Sequence, residues 1–373
     1  MDIIGIIAEY NPFHNGHKYH IDKIKSMYPN SIIILVLNGY FLERGEISIE
    51  SLKSKTKIAL DNNLDIVVKL PFIFGSNSAD IFSDASIEIL NTLGVNKIIF
   101  GSECNDINKL TSLAKKQLND YYDSEVKKYL DEGYNYPTAL NKALGISINT
   151  PNDLLGLSYI KSIIKNNYNI DAITIKRTND YHDTKSNNDI ISASNIREKI
   201  KNNIPIDSYL PSKEYINEIN YELYFNLLKY KILTDDNLSE YLTVDEGIEN
   251  KLKSVINKCN NIDDLISNIK TKRYTYNRIN RMFIHILIGL KKTDKANVVH
   301  NEYIRVLGFN SVGKDYLKKI KKNSVLPIVT DLKKQNSIIK DYEIREYTIY
   351  NMLVDENVLD YELSNKPIIK DKI

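Results

Sequence analysis

Six aliphatic residues stand in unbroken succession from Ile32 to Leu37. A strand built from them has no polar side, so it must be covered on both faces. Ile3–Ala8, Ile66–Leu70 and Lys97–Phe100 repeat that texture, each ending in turn residues, and with Ser31–Leu37 they make four strands. Helical patterns lie between them at His17–Met27, Glu50–Asn62 and Ser78–Leu93. Strand and helix in alternation predict a parallel α/β sheet with crossover helices. A fifth strand is expected at Ala172–Ile175, after a helical insertion over about 106–167.

Past about Pro205 strand signals thin out. Helical periodicity carries Lys213–Lys231, Val244–Lys258, Ile262–Ile269 and Tyr276–Lys291. A chain of 373 residues is long for one core. We therefore expect three parts: an α/β domain over 1–204, a mostly α-helical domain over 205–329, and a small carboxy-terminal segment, 330–373. Charged side chains nearly balance, 50 basic against 48 acidic, so a polyanionic partner would need a local patch. The two cysteines, Cys104 and Cys259, form no CxxC pair and suggest neither a zinc site nor a disulfide scaffold. The apolar runs are far shorter than the roughly 18 residues that span a bilayer. A cytoplasmic protein with no membrane partner is the expectation.

Three of the six histidines, His14, His17 and His20, fall in one seven-residue window directly after the first strand. Open α/β sheets bind ligands at that carboxyl edge. Asn15 is placed to cap the following helix, and Gly16 leaves room for a nucleotide against the backbone. A helix start offers free N–H groups and about half a positive charge. His14 and His17, three apart, can both donate to phosphate oxygens there. The pair suits charge that builds on an α-phosphate and a departing pyrophosphate better than it suits a proton shuttle. The same spacing also fits capping or surface histidines, or a zinc site; no nearby acid or cysteine completes the latter.

A basic run lies further on. Lys270, Lys272, Arg273, Arg278, Arg281, Lys291 and Lys292 occur with no acid among them, and Tyr274 and Tyr276 are interleaved. Cations for phosphates and rings for unpaired bases suit an RNA strand, whereas a plain solvated face is the alternative. A second run, Lys314 to Lys322, has five lysines and one Asp.

A strand, then His-x-Gly-His at a helix start, then the distant Ile191-Ser192-Ala193-Ser194-Asn195-Ile196-Arg197, resembles the HIGH-type nucleotidyltransferase superfamily. The longer string from Gly5 through Glu9 to His17 resembles, more narrowly, the bacterial tRNA(Met) cytidine acetate ligase family. Further similar segments follow in order: 39–46, Leu70-Pro71, Ser78-Ala79, 100–103, 133–137, Pro151-Asn152, Leu155-Gly156, Lys176-Arg177, Tyr181-His182-Asp183, 272–275 with Arg278 and Arg281, and 305–310. The resemblance implies a Rossmann-like parallel sheet of the HIGH type followed by a mostly α-helical domain.

It also implies an activity. Such enzymes adenylate acetate with ATP, release pyrophosphate, and pass the acetyl group to the exocyclic amine of the wobble cytidine of elongator tRNA(Met). The ATP segment would be Ile7, Ala8, Glu9, Tyr10, Asn11, Pro12, Phe13, His14, Asn15, Gly16, His17, Lys18, Tyr19 and His20, with His14 and His17 catalytic at the phosphates. Gly101 would let adenosine lie against the backbone, and Asn152 and Arg177 would contact the nucleotide. Ser192 and Arg197 would hold the β- and γ-phosphates, with Mg2+ accompanying ATP and no resident metal or protein partner implied. Lys272, Arg273, Tyr274, Arg278 and Arg281 would meet the tRNA. Arg44 and Glu46 would close over acetate or ATP.

The chain departs from the family pattern at Glu43 (usually Gln), Ile47-Ser48 (Pro-Ala), Lys55 (Arg), Lys69 (an acid) and Asp153 (Asn). Two other functions fit parts of the sequence. One is a nucleotidyltransferase acting on a small phosphate acceptor; the other is a non-catalytic RNA-binding protein retaining a nucleotide pocket.

Overall fold

The computed structural model describes the chain except residues 146–149, 178–189, 213–215, 365 and 372–373. The expected Tyr181-His182-Asp183 segment and Lys213 lie outside the described residues. The first five strands are β1 (Ile3–Ala8), β2 (Ile32–Leu37), β3 (Ile66–Lys69), β4 (Lys97–Ser102) and β5 (Asp171–Lys176). They run parallel in the order β5-β4-β1-β2-β3. Every residue of β2 and β3 is buried, as unbroken aliphatic runs require. The chain leaves β1 toward β2 and β3, then returns to its other side with β4. The carboxyl ends of β1 and β4 therefore flank a crevice.

Helix α1 (Asn15–Met27) crosses from β1 to β2, and α2 (Leu52–Asp61), capped by Ser51, crosses from β2 to β3. Between β4 and β5 lie the helices Ile107–Gln117, Asp120–Asp131, Tyr136–Leu144 and Pro151–Lys165, the last packed on β4. The helical expectation past 205 holds for Ile262–Ile269 and for Tyr276–Ile288, which Gly289 ends at φ +76°. The helix expected at Lys213–Lys231 begins later, at Tyr221, because Ile216 pairs with Glu50 and Asn217 N–H donates to the Ile49 carbonyl. The helix expected at Val244–Lys258 is confined to Ile248–Val255 and a following 3-10 turn, since Thr243, Glu246 and Gly247 take positive φ.

The sheet also continues where no strand was expected. β6 (Ile304–Asn310) lies antiparallel on β3, and β7 (Ile328–Val329) and β8 (Ile368–Lys370) run parallel to β6. Arg305 and Gly308 interrupt the aliphatic texture of β6, which hid it. Arg305 is buried regardless, because Glu362 Oε2 lies 2.8 Å from its guanidinium and the Tyr347 hydroxyl 2.5 Å. None of the described helices is long and apolar enough to cross a membrane.

Lys69, at the end of β3, explains one departure from the family pattern. Its Nζ lies 2.8 Å from Glu343 and 2.7 Å from Glu346, all three buried. Both acids sit on the helix Ile338–Leu353, so a cation on the sheet requires its acids there. Burial works against the Lys69 charge, but the two carboxylates hold its pKa above the usual lysine value. Tyr40 N–H and the Tyr303 hydroxyl donate to the remaining oxygens, so no member is left half-bonded. Replacing Lys69 with Met strands two buried carboxylates, and urea unfolding should register a loss of about 3–5 kcal/mol.

Candidate active site

The cleft opens at the carboxyl edge, at the crevice between β1 and β4, with a volume of about 250 Å³. His14 is the N-cap residue of α1, a role the sequence had suggested for Asn15. His14 Nδ1 accepts from Gly16 N–H at 3.0 Å, and His17 Nδ1 accepts from His14 N–H at 3.2 Å. Two of the helix's unsatisfied N–H groups are thus met by imidazoles. The consequence is chemical: with each Nδ1 an acceptor, the neutral ring carries its proton on Nε2. The two rings stack at 3.9 Å between centroids.

Burial lowers the His14 pKa to about 3, with the Arg177 and Arg197 charges adding to the effect. Burial also lowers His17 well below its ordinary value, followed by His14, Arg177 and His20. Both rings are therefore neutral donors at physiological pH. Positive charge at this end of the cleft comes instead from Arg177, Arg197 and the start of α1. Gly16 is fixed by this packing, since a Cβ there would meet His14 Cε1 at 2.7 Å.

The loop before α1 is braced from three sides. Phe13 N–H donates to Glu50 at 2.9 Å, Asn11 Oδ1 accepts from Ile49 N–H at 2.9 Å, and Arg197 donates to the Asn11 carbonyl at 2.7 Å. Of the residues singled out in the sequence, Ile7, Ala8, Glu9, Tyr10, Asn11, His14, Gly16, His17, Tyr19, His20, Gly101, Asn152, Arg177, Ser192 and Arg197 line the cleft. Pro12, Phe13, Asn15 and Lys18 do not. Phe13 is fully buried behind the histidines, Asn15 bonds the Ser208 carbonyl, and exposed Lys18 pairs with Asp22.

Several of these side chains already hold protein partners. Arg177 lies over Gly101, whose absent Cβ would sit 3.3 Å from the arginine Cγ. Asn152, at the start of its helix, donates to Glu103 at 2.5 Å. Asp153, at a departure from the family pattern, accepts from the Ser102 and Thr150 hydroxyls and from the N–H groups of Glu103 and Cys104. Burial raises its pKa, but those hydrogen bonds outweigh it and keep the group ionised. Ser192 caps the helix Ala193–Lys201 through Asn195 N–H, and Arg197 pairs with Glu46 at 2.7 Å. Any anion pairing with Arg197 would compete with Glu46.

No motif had pointed to the apolar wall formed by Phe82, Phe100, Leu155 and Tyr159, which helical residues complete from the insertion side. Glu103 was also missed; its signal was its place inside the Phe100–Glu103 segment. Among the described residues no group of three or more His, Cys, Asp or Glu is placed to hold a metal ion.

The basic run is less free than its sequence suggests. Arg278 meets Asp245 at 3.4 Å, Lys292 the same acid at 2.8 Å, Arg273 meets Glu246 at 3.4 Å, and Lys291 meets Glu240 at 2.8 Å. Tyr274 does not offer an open stacking face: it is 3% exposed, its hydroxyl bonds Asp245 main-chain atoms, and the Arg278 guanidinium lies 4.1 Å from its ring centre. Tyr276 is exposed, as are Lys270, Lys272 and Arg273. Arg281 turns inward to Glu43 on the cleft wall, 3.3 Å away. Gly45 packs against the main chain of Asn280 and Arg281, where a Cβ would lie 2.3 Å from Arg281 N.

Residues 1–365 match the HIGH Nucleotidyl Transferase family model. The tRNA(Met) cytidine acetate ligase of Caldicellulosiruptor bescii is 40% identical over 341 residues, covering 86% of this chain and 85% of the relative. That of Clostridium perfringens is 36% identical over 404 residues, covering 99% and 100%. The crystal structure of apo Thermotoga maritima TmcAL superposes with a TM-score of 0.87 at 27% identity over all of both chains. The same protein bound with alpha-thio ATP gives 0.85 at 26%, again over all of both chains.

The histidine environment fixes a titration outcome. A neutral imidazole buried in the fold, with pKa about 3 for His14 and about 4 for His20, binds fewer protons than the unfolded chain below pH 6.5. These groups therefore withdraw stability as pH falls from about 6.5 toward 4. By NMR, the His14 and His20 ring protons should not titrate above pH 5; a midpoint near 6.5 would contradict the geometry. Gly16→Ala, which pushes the His14 ring aside, should weaken ATP binding at least about tenfold by calorimetry.

Proposed function

The chain belongs to the tRNA(Met) cytidine acetate ligase family of HIGH nucleotidyl transferases, and from that premise we propose how its residues perform the ligase reaction. The enzyme uses ATP to activate acetate as acetyl-adenylate, releasing pyrophosphate, and acetylates a cytidine of tRNA. The observation that carries the reading is the pair of neutral Nε2–H donors, His14 and His17, stacked at a helix start beside Arg177 and Arg197.

Acetate oxygen attacks the α-phosphorus, and negative charge grows on the phosphoryl oxygens and on the departing pyrophosphate. His14 and His17 are aimed by their Nδ1 bonds before ATP arrives, so they stabilise that charge without reorganising. Arg197 and Ser192 serve the β- and γ-phosphates, and Arg177 with Gly101 and Asn152 holds the nucleoside. Mg2+ would come with the triphosphate oxygens, and Glu46, freed when Arg197 turns to phosphate, is an oxygen donor suited to it.

The acceptor is the wobble cytidine of elongator tRNA(Met). Exposed Lys272 and Arg273, with Tyr276, meet its backbone and unpaired bases in this reading, while Arg278 and Arg281 act from inside. Arg281 differs from the others, since its bond to Glu43 ties the helical half to the cleft. The small-acceptor nucleotidyltransferase and the non-catalytic RNA-binding protein both lack support from the relatives' names.

ATP–pyrophosphate exchange should require acetate and proceed without tRNA, and His14→Ala or His17→Ala should lower it about 100-fold or more. Exchange that is absent with acetate present would refute the ligase reading. The double variant Lys272→Ala, Arg273→Ala should leave exchange unchanged. It should weaken tRNA binding and reduce the slope of log affinity against log salt by about 1–2.

A further inference from the structure

Carboxylates repel a triphosphate, yet Glu9 and Glu43 both line the ATP cleft. Their setting separates them from its phosphate end. Arg177 and Arg197 stand beside the histidines, whereas Glu43 pairs with Arg281 at 3.3 Å and Arg44 at 3.8 Å, and Glu46, held by Arg197 at 2.7 Å, also acts on Glu43. Tyr159 belongs to the acidic end too: burial first, then Glu9 and Glu43, raise its phenol above the usual range. Phe100 packs edge-on against the Tyr159 ring, 5.7 Å between centroids.

Glu9 is fixed there as an acceptor. Its Oε1 receives Asn38 Nδ2 at 2.7 Å and Glu43 N–H at 2.7 Å. Asn38 is itself immobilised, buried and bonded to the Gly75 carbonyl at 3.0 Å and to Gly39 N–H at 2.8 Å. One carboxylate oxygen is thus committed, and the other, Oε2, receives no protein hydrogen bond among the described residues. A held carboxylate with one open oxygen matches an exocyclic amine of a nucleobase, and a carboxylate accepting from cytosine N4 is a standard pairing.

We propose that Glu9 is the proton acceptor of the transfer step, receiving an N4–H of the target cytidine on Oε2. The inference rests on the ligase reading and adds a catalytic residue to it. Cytosine N4 is a weak nucleophile because its lone pair is delocalised into the ring. As that pair forms the N4–C bond to the acetyl carbonyl, the carbonyl C–O bond to AMP breaks and its electron pair leaves on the phosphate. The N4 proton passes to Glu9 Oε2 and then to solvent. AMP, the N4-acetylated cytidine and one proton are the products.

The adenine N6 amine offers the same chemistry, and the two half-reactions tell the sources apart. The full-length Glu9→Gln variant keeps the Oε1 acceptor for Asn38 and Glu43 and replaces the basic Oε2 with an amide NH2 that can only donate. Acetate-dependent ATP–pyrophosphate exchange by the variant reports that it is folded and measures what Glu9 contributes at the ATP stage, and the transfer rate is read relative to it. Single-turnover transfer of labelled acetyl from enzyme-bound adenylate to tRNA should fall about 100-fold. A parallel fall in exchange would overturn the proposal by assigning Glu9 to ATP, and a transfer rate within tenfold of wild type would overturn it outright. A wild-type protein that exchanges but acetylates no tRNA would overturn the ligase reading and this step with it.

Discussion

Two backbone N–H groups at the start of α1 need acceptors, and imidazole nitrogens supply them. Much of the cleft follows from that choice. A serine or aspartate would satisfy the same groups, as Ser51, Asp106 and Ser192 do at other caps of this chain. Histidine adds a second nitrogen that the cap does not use, and the cap decides which nitrogen keeps the proton. Helix initiation and ligand donation are therefore one arrangement, and the bracing of Tyr10–Phe13 by Glu50, Ile49 and Arg197 serves both.

The α/β part was legible because its signal is redundant. Buried parallel strands read as continuously apolar runs, and β1, β2 and β3 as far as Val68 do. Histidine spacing, Gly101 and the Ile191–Arg197 segment converge on one cleft because open sheets bind ligands at a topological switch point. Capping chemistry was only half legible: Asn15 has the composition of a cap, but His14 performs it. Elsewhere the sequence misled for identifiable reasons. β6 carries an arginine and a glycine that make it look unlike a core strand, and only its partners, Glu362 and Tyr347, make the arginine tolerable there. Tyr274 reads as a base-stacking platform beside cations, yet its hydroxyl anchors the turn around Asp245 and its ring is covered. No local pattern announces that the acids neutralising 270–292 lie at 240–246.

The departures from the family pattern are not uniform in kind. Lys69 and Asp153 are absorbed by partners, two acids for the first and four donors for the second. Glu43 remains exceptional, a carboxyl whose pKa burial pushes up to about 7 against the opposing pull of Arg281. It places a titratable group on the cleft wall, in hydrogen-bond contact with the helical half and one residue's N–H from Glu9. The loop 39–46 and the helix Tyr276–Ile288 meet main chain to side chain there, with Gly45 permitting the approach.

The buried charge of Lys69 carries a consequence for the nascent chain. Its acceptor Glu346 is 277 positions downstream. At a synthesis rate of about 5–20 residues per second, that interval lasts roughly 14–55 s. For most of it β3 lacks its antiparallel neighbour β6, and for nearly all of it the carboxylates that make its terminal cation tolerable inside. The β1–β2 pairing and α1 can assemble on the ribosome, but the sheet edge at β3 stays open until β6 emerges. A lysine at that edge is hydrophilic while it waits, and it shields an otherwise sticky aliphatic strand from stray pairing. The same side chain acts first as a gatekeeper during translation and afterwards as an interior bolt.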